Sequence, residues 1–150
     1  MHFIQICVGW HDFVASAILM NSRILDLFIK ENSAWEDMLS RQRGEIPLLD
    51  QLVTHIVEQK EEKKQMKDNT TKVFHHLKDE MHKQEKNMDE LKDELQKQQR
   101  YLLSERKNTI GQKYSLDTFF SQKVLRERIR EVERGFLELK SHYFNYLATI

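Results

Sequence analysis

Apolar side chains near the end of the chain, Leu125, Ile129, Val132, Phe136, Leu139, Tyr143, Tyr146 and Ile150, step by four and three in strict alternation. That is the seven-residue repeat of a helix with one apolar stripe. The spacing predicts a helix over 116–150, with Phe120 and Val124 extending its apolar face at the start. A second run keeps the rhythm through Phe74, Leu77, Met81, Gln84, Met88, Leu91, Leu95, Gln98 and Leu102. Upstream of it, Leu49, Leu52, Ile56, Gln59, Lys63, Met66, Thr70 and Val73 hold the spacing, but polar residues interrupt the stripe at Gln59, Lys63 and Thr70. Joining the two frames moves Leu77 from one core position of the repeat to the other, a four-residue stutter that unwinds a coiled coil locally. The stretch KEEKKQMKDNTTK is therefore the weak zone of the rod. Asn69, Thr70 and Thr71 are poor helix formers, and a bend is expected there.

The first part of the chain carries Phe13, Ala17, Met20, Ile24 and Leu27 at helical spacing, widened by Val14, Ile18, Leu25 and Phe28. This predicts an amphipathic helix over about residues 12–31. Ser33 and Glu36 have capping-box spacing, which starts a short second helix at 34–42 with Trp35, Met38 and Leu39 on one side, unless the first helix runs through. RGEIPLL is the clearest punctuation. Gly44 suits the residue after a helix end, and Pro47 suits the first turn of the next helix, where no N–H is needed. Neither glycine nor proline recurs until Gly111, so one helix over 47–110 is expected, about 90 Å long at 1.5 Å per residue. Gly111 offers its stop, and Ser115 or Asp117 the next N-cap.

The reading is thus all-α and divides the chain into three: an N-terminal apolar or amphipathic segment (1–43), a long coiled-coil helix (47–110) and a C-terminal helix (115–150). A loop of roughly five to seven residues makes the last two antiparallel neighbours. Folding back covers only about half of the long helix, so the remainder has to meet the N-terminal helix or another chain. Glutamine and lysine at stripe positions weaken burial and help fix register. Phe136, Tyr143 and Tyr146 are bulky for a two-stranded seam and fit a cross-section of three or four helices. The expected partner interface comprises Phe74, Leu77, Met81, Met88, Leu91, Leu95, Leu102, Leu125, Ile129, Val132, Phe136, Leu139, Tyr143 and Tyr146, meeting other coiled-coil chains in a hetero- or homo-oligomer.

Composition narrows the chemistry. The chain has 150 residues, four glycines and one proline, too few turn residues for a β-rich or α/β domain of this length. Its formal net charge is zero with 32% charged residues, so no uncompensated basic face is available for phosphate and no nucleic acid is expected. EQKEEKKQMK and RERIREVERG alternate signs and read as solvated helix faces and charges flanking the stripe. Cys7 is the single cysteine, which excludes internal disulfides and paired-cysteine zinc sites. No glycine-rich phosphate loop or nucleophile–base arrangement occurs, so no enzyme, catalytic residue or cofactor is expected.

VFHHLKDEMH places His75, Asp79 and His82 at ligand spacing. In the frame of Phe74, Leu77 and Met81 they fall on the opposite face, outside any bundle core. A metal site needs inward ligands and supporting groups, so none is expected, and pH-sensitive contact through His75 and His82 is the remaining use for them. The first 20 residues are apolar and lack Lys and Arg. Gln5, His11 and Asp12 interrupt the run, which disfavours a secretory signal or a span. The segment is expected to be buried or to face a partner, with membrane contact as the alternative, and Met20 offers another start. SHYFNYLATI reads as packing, or as a partner-binding tip.

The expected function is a non-catalytic coiled-coil scaffold subunit of a larger heteromeric complex of cytoskeletal, centrosomal, ciliary or kinetochore type, cytoplasmic and cytoskeleton-associated or nuclear. The alternative is a membrane-associated tether that uses residues 1–20.

Overall fold

The computed structural model describes the backbone of residues 2–65, 68–107 and 116–150 and the side chains of 23–65, 69–107 and 117–150. Among these residues there are three helices and no strand: α1 (His2–Glu62), α2 (Asp68–Lys107) and α3 (Leu116–Thr149). The chain is all-α. No helix among the described residues is long and apolar enough to cross a membrane. The side chains of residues 1–20, read above as buried, partner-facing or membrane-contacting, lie outside the described residues, as does the expected helix stop at Gly111 with the cap at Ser115.

Side-chain contacts give the helix directions. Along α1 and α2 the partners run in opposite order: Asp26 meets Arg106, Arg43 meets Asp89 and Glu85, and Asp50 meets Lys78. Along α2 and α3 they do so again, from Glu94 with Arg128 through Gln84 with Val132 to Thr70 with Tyr146. Along α1 and α3 they rise together, from Glu31 with Arg126 to Glu45 with Lys140 and Asp50 with Tyr143. Each helix touches both others.

Two expected boundaries differ from the observed ones. The division at 43–47 and the short helix at 34–42 are absent, because α1 runs unbroken through Ser33, Gly44 and Pro47. The alternative reading, that the first helix continues past Ser33, is the one observed. Proline inside a helix removes one backbone hydrogen bond and costs about 3 kcal/mol. Leu39, Ile46 and Val53, seven residues apart, are all buried on one face across the proline. Each such side chain contributes roughly 1.5–3 kcal/mol on burial, so the continuous stripe outweighs the break. Ser33 makes no cap. Its hydroxyl accepts a hydrogen bond from Gln99 of α2 (3.1 Å).

The same continuity rotates the inward face of α1 from the one expected. Leu25, Phe28, Leu39, Ile46, Val53 and Val57 are buried, whereas Leu27 and Leu52, expected in the stripe, are 61% and 48% exposed. On α3, Thr118 and Gln122 occupy the buried positions ahead of Leu125, and Phe120 and Val124 point outward.

α1 ends at Glu62 and α2 begins at Asp68, so the expected helix over 47–110 is divided between them. The cap at the end of α1 is complete. Gln65 N–H donates to the Lys60 carbonyl and Lys64 N–H to the Glu61 carbonyl, both at 3.0 Å. These are the paired bonds that close a helix whose next residue is left-handed. That residue is Lys64, with φ of 52°, a conformation that costs a side-chain-bearing residue roughly 1–2 kcal/mol and glycine almost nothing. Lys64→Gly is therefore expected to raise unfolding stability by about 0.5–1 kcal/mol, net of the added freedom of the unfolded chain. Urea melts of the two proteins check this, and an unchanged or lower midpoint excludes a strained Lys64.

Candidate functional site: the three-helix seam

The fourteen side chains expected at a partner interface are all buried between the helices of this one chain. Thirteen of them share one continuous core with Leu39, Ile46, Val53 and Val57, and Leu102 closes a second cluster with Leu25 and Phe28. They are brought together, but by their own chain. Aromatic bulk is absorbed as three packed helices allow: Phe74 stacks on Tyr146 with ring centroids 6.1 Å apart.

Polar groups enter this seam at three levels. Near its start, Asn32 and Gln122 are fully buried, and Gln122 Nε2 donates to Asn32 Oδ1 at 2.6 Å and to Glu31 Oε1 at 3.0 Å. Arg126 clamps Glu31 through Nε (3.1 Å) and Nη2 (2.8 Å), and this charge-assisted hydrogen bond raises the Arg126 pKa further above its ordinary value. The fork ties α3 to α1 at one height. Sequence reasoning missed this layer. Its one trace is spacing, since Asn32 lies seven residues after Leu25 and before Leu39, and Gln122 lies three before Leu125.

At mid-height, Gln84 is buried and its Nε2 donates to the Val132 carbonyl at 2.7 Å. Where it lies, the amide leaves no room for a Cβ on residue 135. A Cβ there would lie 2.7 Å from Gln84 Oε1 and 3.3 Å from Cδ. Gly135 costs α3 about 1 kcal/mol relative to alanine, and the close approach of Gln84 explains its place. Gln84 was legible as a polar stripe position; its dependence on Gly135 was not.

At the far end, Tyr143 and Tyr146 are buried and direct their hydroxyls at acceptors. Tyr146 donates to the Thr70 carbonyl (2.9 Å), and Tyr143 makes longer contacts of 3.5 Å to Asp50 Oδ1 and the Leu77 carbonyl. Burial raises both phenol pKa values, first by desolvation and then through nearby carboxylates, Asp50 for Tyr143 and Glu61 for Tyr146. Lys78 pairs with Asp50 at 3.1 Å and lies over the Phe74 ring.

His75, Asp79 and His82 are exposed, while Phe74, Leu77 and Met81 are buried. His82 lies 3.7 Å from Glu85 on its own helix. Among the described residues no three His, Cys, Asp or Glu side chains converge on a point that holds a metal ion. Exposed polar contacts such as the Lys140–Glu45 ion pair (3.3 Å) and the His142 Nδ1–Glu80 hydrogen bond (3.0 Å) border the seam. Each contributes a fraction of a kcal/mol at most.

No protein-family model, curated protein or solved structure matches the chain.

Two predictions follow from the polar levels. Alanine substitution has opposite signs at two helical glycines. Gly44 faces open space, so Gly44→Ala is expected to stabilise by about 1 kcal/mol through helix propensity. Gly135→Ala displaces a buried, hydrogen-bonded amide and is expected to destabilise by about 1 kcal/mol net. Thermal melts of both variants decide this, and a stabilised Gly135→Ala protein rules out the close fit. The raised phenol pKa values give stability a pH limit. Folded tyrosines keep their protons where unfolded ones, with an ordinary value of 10.0, lose them. Their contribution is full below about pH 10 and is lost as pH rises through the folded values. Tyr143→Phe should flatten the alkaline decline of stability, as read in urea melts at about pH 9 and pH 11.

Proposed function

We propose that the chain is a non-catalytic coiled-coil scaffold subunit that holds a larger, heteromeric protein assembly together, of the cytoskeletal, centrosomal, ciliary or kinetochore kind. In this reading α3 folds back on α2 as an antiparallel coiled-coil pair, α1 completes the rod, and other helical chains dock on its outer faces. The observation that carries it is the apolar surface left outside a stripe already filled from within. Phe120 and Val124 are 57% and 55% exposed, and they flank a groove between α2 and α3 that also takes in Glu94, Lys97, Gln98 and Leu125. A lone monomer gains nothing from exposed aromatic and branched side chains gathered at one groove. A helical partner laid in that groove covers them.

The chain in native extract should elute in a particle much larger than a dimer of 18.1 kDa subunits, with fixed stoichiometry to its companions. Phe120→Glu/Val124→Glu, which changes only exposed positions, should release it while its helical circular dichroism and melting remain as in the wild type. Elution of the wild-type chain at its own or its dimer mass defeats the reading.

A further inference from the structure

The outer face of α1 carries a second apolar site, remote from the Phe120 groove. Leu48 and Leu52 are 66% and 48% exposed. They border a shallow groove between α1 and α3 with Glu45, Leu49, Phe136 and Lys140. Leu137 and Phe144, three residues before and four after Lys140, continue the same strip of α3 and are 57% and 50% exposed. This makes α1 apolar on two faces, one buried inside the bundle and one not.

The charges around Leu48 and Leu52 are distributed in a particular way. Seven residues before Leu48 stands Arg41, and six after Leu52 stands Glu58, both exposed. Glu45 and His55 each lie three residues outside the leucine pair. A two-fold axis placed between Leu48 and Leu52, with two α1 helices running antiparallel, sets Leu48 of one copy against Leu52 of the other. The same axis sets Glu45 against His55 and brings Arg41 within reach of Glu58. A parallel pairing would instead set Arg41 on Arg41 and Glu58 on Glu58. From Arg41 to Glu58 the strip is about 26 Å long at 1.5 Å per residue, enough for several turns of contact. The formal net charge of zero adds no overall repulsion between copies.

We infer that this face binds a second copy of the chain, giving a two-fold dimer in which antiparallel α1 helices meet at Leu48 and Leu52 and exchange Arg41–Glu58 pairs at both ends. The inference builds on the scaffold reading and assigns one of its outer faces to self-association. The interface is isologous, so every contact occurs twice. It leaves the Phe120 groove on the other side of α3 open to other partners.

Sedimentation equilibrium of the purified full chain tests it. The wild type should be a dimer in equilibrium with monomer. Leu48→Glu/Leu52→Glu should be monomeric at every concentration, with unchanged helix content. Arg41→Glu and Glu58→Arg should each weaken the dimer about tenfold, since each places two like-charge contacts in the interface, and the two combined should return within a few-fold of wild type. A wild-type chain that stays monomeric up to its solubility limit overturns the dimer. A combined charge swap no tighter than either single change overturns the antiparallel arrangement. A monomeric purified chain that still enters a large particle in extract would remove this inference and leave the scaffold reading standing.

Discussion

Every part of the structure depends on one requirement: the apolar stripe of α2 must be covered along its whole length. A helix of 40 residues has no interior of its own, and little of its stability comes from propensity alone. The stripe from Phe74 to Leu102 is closed by α1 on one side and α3 on the other. Remove either flank and the stripe is half open to water along its length. That requirement explains why α1 tolerates Pro47 and a mid-helix glycine, and why Lys64 accepts a left-handed backbone. The local penalties amount to a few kcal/mol, against six or more large side chains buried on α1.

The parts of this fold that were legible in the sequence are those where periodicity is uninterrupted. The α3 stripe from Leu125 to Tyr146 and the α2 stripe from Phe74 to Leu102 read correctly because each apolar residue in them is buried. The need for a third helix was legible in Phe136, Tyr143 and Tyr146, whose volume a two-stranded seam cannot take. The N-terminal half was read less well, for a physical reason. Gly44, Pro47 and the Ser33–Glu36 pair are strong local signals, and local signals lose to a buried stripe that continues on both sides. A helix start at Pro47 separates Leu39 and Ile46 from Val53, which recur every seven residues, and favours a stripe through Leu49, Leu52 and Ile56 instead. The weak zone around Lys63 is legible in its composition, which points to a bend; α1 ends within it, at Glu62.

The candidate site shows the same limit. Which residues are apolar and periodic can be read from one sequence; whose helices cover them cannot. The fourteen stripe positions are filled from within the chain, and Leu48, Leu52, Phe120 and Val124 remain exposed. Along a single helix Leu52, Phe120 and Val124 look like stripe positions. Only when the three helices are assembled do they gather into two separate surfaces. The Asn32–Gln122 layer was missed because buried amides leave no periodic signature beyond their position in the repeat.

The small space at Gly135 has a consequence for alignment. An apolar stripe by itself is nearly indifferent to sliding α3 past α2 by seven residues, because Ile129, Phe136 and Tyr143 would simply exchange neighbours. The amide of Gln84 is not indifferent. Seven residues before Gly135 stands Arg128, and seven after it His142. Either shift would bring a long or ringed side chain against the Gln84 amide, which would have to leave its place on the Val132 carbonyl. The helix pair therefore resembles a keyed shaft: the Gln84 tooth and the Gly135 notch, with the Tyr146–Thr70 bond further along, favour one axial setting among several that the greasy surface would accept.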